Sequence, residues 1–292
     1  MVTRKKTSRM TYVTISDLSN TIRKNLHRIP HNIDFVIGVP RSGMLPATII
    51  AEYLNVPLTD LNSFVGGQRP CGGLRLGFKH PSQNLNKQVA LVVEDTTFNG
   101  RSINEAKRLL AGRTDIDFIF LAAYKEGKKE FADIYLEDIS HTGTQVVYEW
   151  NIIHHYPNIM KFCIYDIDGV LCLDPPDERN EEAYLNYIAT AKPLFIPSNE
   201  IGAICSFRLE KNRNITEKWL ADNGVKYGEL IMYPSSTYEG RIGASPSAFK
   251  ADYYKKSKWA ELFVESDDAQ AREIARLSGK QVYCVSSNRM YN

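Results

Sequence analysis

Short apolar runs rich in β-branched residues alternate with amphipathic segments along this chain, and the alternation stops near the middle and starts again. Such alternation is typical of βαβ units built on a mainly parallel sheet. In the first half it predicts strands at 34–39, 88–94 and 116–123, with helices at 44–54 and 101–112. In the second half it predicts strands at 161–166, 201–205, 261–265 and 281–285, with helices near 212–223, 247–256 and 267–279. We therefore expect an α/β fold with two doubly wound, mainly parallel sheets.

The length of the chain also favours two domains. Its 292 residues exceed the ~150 that are usual for one domain. Residues 131–160 separate the two patterns, because they are rich in aromatic residues and His and have no clear period. The boundary is therefore predicted near Pro157, with domains at 1–157 and 158–292.

Composition argues against several classes of protein. No apolar run approaches the ~18 residues of a membrane span, and the basic start lacks the apolar stretch of a secretory signal, so we expect a cytoplasmic protein with no membrane partner. A net charge of +2 argues against a nucleic-acid partner, and the basic cluster Arg4, Lys5, Lys6 and Arg9 is interpreted as a solvated tail. The five scattered cysteines form no CxxC pair and are expected to be free thiols. The oligomeric state stays open, a homo-oligomer included.

One predicted strand of the first half ends in two adjacent acids, followed by a small polar turn. Residues 89–102 read Val-Ala-Leu-Val-Val-Glu-Asp-Thr-Thr-Phe-Asn-Gly-Arg-Ser, and a helix is predicted at the end of this run. The alternative is a purely structural, Rossmann-like turn with an N-capping Asp. However, backbone N–H groups at a helix start, beside Thr and Ser hydroxyls, suit a phosphate dianion, and open α/β sheets bind ligands at the carboxyl ends of their strands. The run therefore predicts a phosphate site.

This run closely resembles the signature of type I phosphoribosyltransferases, which binds phosphoribosyl pyrophosphate. The resemblance implies that Glu94 and Asp95 hold the ribose hydroxyls. The residues that it implies for the 5′-phosphate are Thr96, Thr97, Asn99, Gly100, Arg101 and Ser102. The upstream turn Gly-Val-Pro-Arg-Ser-Gly at 38–43 is placed like the pyrophosphate loop of that family, so Arg41, Ser42 and Gly43 are further candidates.

The same family closes a flexible loop over its substrate and supplies a hood for the base. The candidate loop is 63–80, in which Arg69, Arg75 and Lys79 would meet the pyrophosphate. The candidate hood is 131–156, where Tyr148 and Trp150 are the residues that could stack on a base. The resemblance implies displacement at ribose C1, with Mg²⁺ on the pyrophosphate.

A strand of the second half ends in Asp-Ile-Asp-Gly-Val-Leu at 166–171. Two carboxylates so placed can share a divalent cation, while one attacks phosphorus and the other exchanges a proton with the leaving oxygen. The motif resembles the first motif of the haloacid dehalogenase-like phosphatases. The resemblance implies that Asp166 is the nucleophile and Asp168 the general acid/base.

Later motifs of this phosphatase family follow in order. Ser206 ends an apolar strand as in the second motif, where a hydroxyl bonds the transferring phosphoryl group, and Lys250 is the first choice for the Lys of the third, before Lys256 or Lys258. The fourth motif matches 261–268, but Glu-Ser replaces its usual Gly-Asp pair, so either Glu265 or Asp267 would complete a Mg²⁺ site with Asp166 and Asp168. Arg208 and Arg213 lie near this site in the sequence and are either specificity contacts or charges on a helix surface.

Both resemblances together imply a bifunctional enzyme. Its partners would be small molecules, namely phosphoribosyl pyrophosphate, a base and a nucleotide. The first domain would make a nucleotide, and the second would remove its phosphate in a Mg²⁺-dependent reaction. Two alternatives are a first domain that only senses phosphoribosyl pyrophosphate or a nucleotide and regulates the phosphatase, and a phosphatase that acts on an unrelated ester such as a nucleic-acid end.

Overall fold

A computed structural model describes residues 9–72, 87–155, 157–175 and 180–292. The chain divides into two compact units. The first unit is Val13–Val146, and the second is Val147–Asn292 together with the described residues up to Tyr12. The second unit therefore begins at Val147, earlier than the boundary predicted near Pro157.

Burial explains this earlier division. Val147, Ile152 and Ile159 are buried in one core cluster with Tyr165 of the second sheet, and Met10 joins the same cluster. The side-chain amide nitrogen of Gln281 donates a 3.0 Å hydrogen bond to the carbonyl of Met10. The segment before Pro157 is hence part of the second hydrophobic core, although its aromatic composition and weak period did not indicate this.

The first unit contains a five-stranded parallel sheet in the order β3-β2-β4-β5-β6. The elements up to β6 are β1 (Thr11–Val13), α1 (Ile15–Asn25), β2 (Phe35–Gly38), α2 (Met44–Leu54), β3 (Leu58–Asp60), α3 (Leu61–Val65), β4 (Gln88–Thr97), α4 (Arg101–Leu110), β5 (Ile116–Lys125) and β6 (Ile134–Asp138). All the strands and helices predicted for the first half are present.

The central strand β4 determines which edge of this sheet carries the acids at 94–95. Residues 89–93 are all buried, as is usual for a parallel strand covered on both faces. Gly38, the last residue of β2, pairs with Val93 of β4, so the turn after β2 and the acids at 94–95 lie at the same edge. The strand runs to Thr97 and not only to Glu94 as predicted, because Thr96 and Thr97 pair with β5.

The second unit contains a six-stranded sheet in the order β10-β9-β8-β11-β12-β13, in which only the pair β12–β13 is antiparallel. Its elements are β7 (Val146–Tyr148), α5 (Pro157–Met160), β8 (Cys163–Tyr165), α6 (Glu181–Thr190), β9 (Ile201–Leu209), α7 (Arg213–Asp222), β10 (Tyr227–Tyr233), α8 (Pro246–Lys256), β11 (Leu262–Glu265), α9 (Asp268–Ser278), β12 (Val282–Cys284) and β13 (Arg289–Tyr291). β7 pairs with β1. The predicted fold class, α/β with two mainly parallel sheets, is confirmed.

Two further features bear on the expectations from composition. None of the helices in the described parts of the chain is long and apolar enough to span a membrane. All five cysteines are free thiols; Cys71 is exposed and the others are buried.

Candidate functional site

In the first unit, the turn after β2 lies directly against the end of β4. A Cβ atom on Gly43 would stand 2.5 Å from the carbonyl oxygen of Val39 and 2.7 Å from that of Val93, and both atoms are backbone. Only glycine therefore fits at this position without a backbone shift. The Arg41 side chain in this turn is exposed and that of Ser42 is half-buried, and the peptide bond between Pro40 and Arg41 is cis. The structure thus brings 41–43 together with the acids that follow Val93.

The two acids of β4 are both buried, at 6% exposure for Glu94 and 4% for Asp95. Burial raises the pKa of Glu94 to about 10, and the hydrogen bond and the charge of Asp95 raise it further, against a hydrogen bond from Ser102. The backbone N–H of Asp95 donates to Glu94 Oε1 at 3.1 Å, and that of Thr96 donates to Asp95 Oδ1 at 2.9 Å. Glu94 accordingly carries a proton at neutral pH.

The turn after β4 leads into the N-terminus of α4. Gly100 has a φ of +72°, and a Cβ there would lie 2.2 Å from the ring of Phe131, so this position also requires glycine. The side-chain oxygen of Asn99 accepts from the backbone N–H of Arg101 at 3.1 Å. Thr97 Oγ1 is buried, and no described group bonds it. Arg101 and Ser102 are exposed at the helix start. Amides and hydroxyls at such a helix start can bind a phosphate.

The predicted loop and hood are described only in part. Of the loop 63–80, the first residues belong to α3, Arg69 is exposed, and Arg75 and Lys79 lie outside the described residues. In the hood, Tyr148 is 2% exposed, and its ring centre lies 4.8 Å from that of Trp150 in the second unit. Tyr148 is thus a core residue, because its ring packs inward. The role of Trp150 in stacking on a base stays a prediction.

In the second unit, a buried ammonium group joins two acids from different strands. Lys250 Nζ, on α8, donates to Asp166 Oδ2 at 2.6 Å and to Glu265 Oε2 at 2.7 Å. Asp166 directly follows β8, and Glu265 ends β11. Gln270 Oε1 accepts a third bond from Lys250 at 3.1 Å. All three charged side chains are at least nine-tenths buried.

This arrangement distinguishes Lys250 from the other two lysines proposed from the sequence. Lys256 is exposed and pairs with Asp252 on its own helix, and Lys258 is exposed as well. Burial raises the pKa of Asp166 to about 7. The charge of Lys250 lowers this pKa, whereas the charges of Glu265 and Asp168 raise it further. The pKa of Lys250 is raised, since the two carboxylates outweigh the opposing effect of burial.

Asp168 is held by a second cation, Arg208 of β9. Arg208 Nε lies 3.2 and 3.1 Å from the two carboxylate oxygens, and its Nη2 lies 2.6 Å from Oδ1. The hydroxyl of Tyr187 on α6 donates to Oδ1 at 2.7 Å. Although burial alone would raise the pKa of Asp168, the charge and hydrogen bonds of Arg208 lower it. Arg208, which sequence reasoning left between a specificity contact and a surface charge, is fully buried.

Ser206 and the acids of the fourth motif differ in exposure. Ser206 is fully buried, and its Oγ accepts from the backbone N–H of Arg208 at 3.3 Å. Glu265 Oε1 accepts from the backbone N–H groups of Ser266 and Asp267 at 2.9 and 3.3 Å. Asp267 is exposed and caps α9 through a 2.7 Å bond from the N–H of Gln270. Of the two acids left open for the metal, Glu265 is thus the one beside Asp166.

The charged groups of this site line one cavity of about 710 Å³, whereas Ser206 and Tyr187 are not among its lining residues. Its lining includes the carboxylates of Asp166, Asp168, Asp174, Glu265, Asp267 and Asp268 and the cations Arg208, Arg241 and Lys250. The described residues contain no group of three or more His, Cys, Asp or Glu side chains arranged to hold a metal ion. The predicted Mg²⁺ site is therefore represented only by its acids, of which Asp166 and Glu265 are paired with Lys250 and Asp168 is paired with Arg208.

Sequence reasoning missed Tyr187, Gln270 and the pairing of Arg208 with Asp168. No local pattern could have found them. Tyr187 and Arg208 lie 19 and 40 residues along the chain from Asp168, on separate elements that only the folded sheet brings together.

The substitution Lys250→Met tests the buried ion pairs. It leaves two buried carboxylates facing each other, and the loss of one partner from such a cluster costs about 3–5 kcal/mol of unfolding free energy. We expect this loss in urea unfolding at neutral pH. The matched control Lys256→Met removes an exposed pair and should change the unfolding free energy by less than about 0.5 kcal/mol. Equal effects of the two substitutions would contradict the central position of Lys250.

Glu94→Gln tests the proton on Glu94. The raised pKa, about 10, means that the folded protein keeps a proton that the unfolded chain releases above its ordinary value of 4.5. Stability contributed by this proton is complete below the unfolded pKa and is lost as the pH rises towards the folded pKa. Glutamine is neutral throughout, so the Tm of the variant should rise relative to wild type from about pH 5 to about pH 9. The exposed Glu105→Gln should show a flat difference over this range, and a flat difference for Glu94→Gln would refute the assignment.

Comparison with known proteins bears on the first unit. Residues 11–150 match the family model described as the phosphoribosyl transferase domain, a little under half of the chain. No curated protein matches the chain.

Several solved structures resemble a part of the chain. The purine phosphoribosyltransferase from Pyrococcus horikoshii Ot3 is 16% identical, covers 48% of this chain and 93% of its own, and has a TM-score of 0.35. The xanthine-guanine-hypoxanthine phosphoribosyltransferase of Helicobacter pylori is 15% identical, with 49% and 93% covered and a TM-score of 0.35. The orotate phosphoribosyltransferase from Aeropyrum pernix is 19% identical, with 44% and 72% covered and a TM-score of 0.31. Likeness this weak adds nothing to the family match. The family model thus supports the phosphoribosyltransferase part of the sequence prediction for residues 11–150, whereas the phosphatase part stays a prediction.

Proposed function

We propose that the first unit transfers a phosphoribosyl group from phosphoribosyl pyrophosphate to a base and that the second unit hydrolyses the phosphate ester of the nucleotide formed. The observation that supports the first step is the edge where the turn at 41–43 meets Glu94 and Asp95, within the segment that matches the family model. The second step is supported by Lys250, which lies between Asp166 and Glu265 in the cavity. Its product would be a nucleoside.

In the transfer step, a nitrogen of the base forms a bond to ribose C1 while the bond from C1 to the pyrophosphate oxygen breaks. The nitrogen loses its proton to solvent, and pyrophosphate leaves with the electron pair. The protein binds and orients the reactants: amides and hydroxyls at 96–102 hold the 5′-phosphate, and Arg41 meets the pyrophosphate. The protonated Glu94 can donate a hydrogen bond to a ribose hydroxyl, and Asp95 can accept one.

In the hydrolysis step, a carboxylate oxygen of Asp166 bonds to phosphorus as the ester oxygen leaves and takes a proton from Asp168. Water then attacks phosphorus and gives a proton to Asp168, so that inorganic phosphate leaves and Asp166 is regenerated. Asp168 must hold a proton for the first half of this cycle, whereas Arg208 keeps it ionised in the present structure. Substrate binding would therefore have to weaken the Arg208 pair. Lys250 can turn from Asp166 towards the phosphoryl oxygens.

The chemistry of the cavity supports a divalent cation. Its lining contains six carboxylates but only three cationic side chains. Burial raises the pKa of Asp174, and the charges of Asp168, Glu265 and Asp267 raise it further. Asp166, Asp168 and either Glu265 or Asp267 are the residues that would hold Mg²⁺. When bound, Mg²⁺ would offset the negative charge that develops on the phosphoryl oxygens.

Ligand binding tests the first step. Phosphoribosyl pyrophosphate with Mg²⁺ should raise the Tm, because it binds only the native state. The double substitution Asp95→Ala and Thr97→Ala should abolish this rise, whereas Asp115→Ala, on the surface of the same unit, should keep it. A rise that persists in the double variant would move the phosphate site away from β4.

The substitution Asp166→Asn tests whether the steps occur in series. It keeps the shape of the side chain but removes the attacking charge, so hydrolysis should fall by several orders of magnitude. With an accepted base and phosphoribosyl pyrophosphate, mass spectrometry should find nucleoside, pyrophosphate and phosphate from wild type, but nucleotide and pyrophosphate from the variant. Glu94→Ala with Asp95→Ala should make no nucleotide yet hydrolyse one that is supplied. If wild type hydrolyses phosphate esters while no base is ever consumed, the first unit is a sensor.

A further inference from the structure

One wall of the cavity beside Asp166 takes no part in the hydrolysis described above. It consists of Phe207, Tyr238, Arg241 and Ile242, and we call it the aromatic wall. Phe207 follows Ser206 on β9, and the other three residues lie between β10 and α8. The wall is thus built from two separate segments that meet over the charged floor.

The Arg241 guanidinium lies close to two rings of this wall. Its guanidinium carbon lies 5.1 Å from the ring centre of Phe207 and 5.4 Å from that of Tyr238, and Nη1 donates to the carbonyl of Phe207 at 2.8 Å. Burial lowers the pKa of Arg241, but the guanidinium stays charged at neutral pH. The Phe207 ring is itself fixed by the rings of Tyr233 and Phe249, at 4.6 and 5.9 Å between centres.

The outer part of the wall is apolar and exposed. Tyr238 is 38% exposed and Ile242 is 71% exposed, although both line a cavity whose floor carries Asp166 and Lys250. Exposed apolar side chains at the rim of a charged cavity are typical of a binding site whose ligand has a polar end and an apolar or planar end.

Asp166 and this rim line the same cavity, so a phosphate ester with its phosphorus beside Asp166 can reach the rim with the rest of the molecule. A bare sugar would place hydroxyl groups against Tyr238 and Ile242, whereas a planar base offers a π face to the exposed Tyr238 ring. Stacking of a base on such groups contributes about 1–3 kcal/mol in other proteins. The cavity volume of about 710 Å³ lies within the range of ligand pockets.

We propose that the aromatic wall binds the base of a nucleoside phosphate, so that the substrates of the second unit are nucleoside phosphates and not phosphosugars. This inference rests on the proposed hydrolysis for its substrate class. A nucleoside phosphate can be a free nucleotide or the terminal nucleotide of a nucleic acid, and both present the same base and phosphate to the cavity.

Binding to a protein that cannot react tests the proposal. The parent variant combines Asp166→Asn with Asp95→Ala and Thr97→Ala, so that neither hydrolysis nor the phosphate site of the first unit interferes. Calorimetry should show AMP and UMP binding about tenfold or more tighter than ribose 5-phosphate, the difference expected from one stacked base. A terminally phosphorylated hexanucleotide distinguishes the sources: tighter binding than AMP indicates a nucleic-acid end, and weaker binding a free nucleotide.

Substitutions in the aromatic wall provide a second binding test. Tyr238→Ala with Arg241→Met in the parent should reduce the advantage of AMP over ribose 5-phosphate to less than about threefold, whereas Arg276→Met, an exposed Arg in the same unit, should preserve it. Tyr238→Ala alone is a control for misfolding, because Tyr238 is partly exposed. It should reduce the preference for AMP over ribose 5-phosphate in part. Equal affinities for AMP and ribose 5-phosphate, or an advantage that survives loss of the wall, would overturn the proposal.

Phosphate release separates this result from a failure of the proposed function. With Asp166 and the wall intact, hydrolysis of AMP but not ribose 5-phosphate supports both. Base-dependent binding without hydrolysis of any ester would refute the phosphatase step alone. Hydrolysis of both esters at equal kcat/KM would refute the aromatic wall alone.

Discussion

Parallel strands buried on both faces carry apolar side chains through their middle and bring charged side chains in near their carboxyl ends, and this constraint decides where both candidate sites lie. In β4 the apolar run ends at Val93, and the acids follow at once; in β8 the run ends at Tyr165, and Asp166 is the next residue. Because parallel strands end at the same edge, the next strands bring their own polar groups there: the turn after β2 meets Glu94, and Glu265 of β11 meets Asp166. The chemistry is therefore concentrated at one edge of each sheet.

Much of the fold could be predicted from the sequence because these buried strands are local and strongly apolar. The helix at Met44–Leu54 has the predicted bounds, and the strand at Ile116–Lys125 extends the predicted one by two residues. The strands that were not predicted lie at sheet edges or in the two-stranded sheet, and they are short or partly exposed: β1, β3, β6, β7, β10 and β13. Their sequences carry a weak hydrophobic period, and only pairing with a neighbour makes them strands.

The sequence could predict those parts of the candidate sites that are formed within a single strand, turn or helix. Acids after a strand, a glycine in a turn and a Lys before the last acids are local signals, and the structure does bring Asp166, Lys250 and Glu265 together. The pairing of Arg208 with Asp168 and the bond from Tyr187 depend on the order of strands and on the path of α6, which no local pattern encodes. The division between the two units differs from the predicted domain boundary for the same reason, because burial of Val147 and Met10 is a property of the packed core.

At both edges acidic side chains are buried close together, and their negative charge is compensated differently. Two adjacent acids at the end of β4 are accommodated by a proton on Glu94, which leaves a site with a hydrogen-bond donor and an acceptor side by side. In the second unit Asp166 and Glu265 share the ammonium of Lys250, and Asp168 has its own guanidinium. A neutral acid beside an acceptor suits uncharged hydroxyl groups, which need one bond of each kind. In the proposed hydrolysis, cations that are already close to Asp166 would suit a phosphoryl group, since they would lie near the negative charge of its oxygens. The difference in charge compensation therefore argues for hydroxyl recognition at the first edge and phosphoryl chemistry at the second.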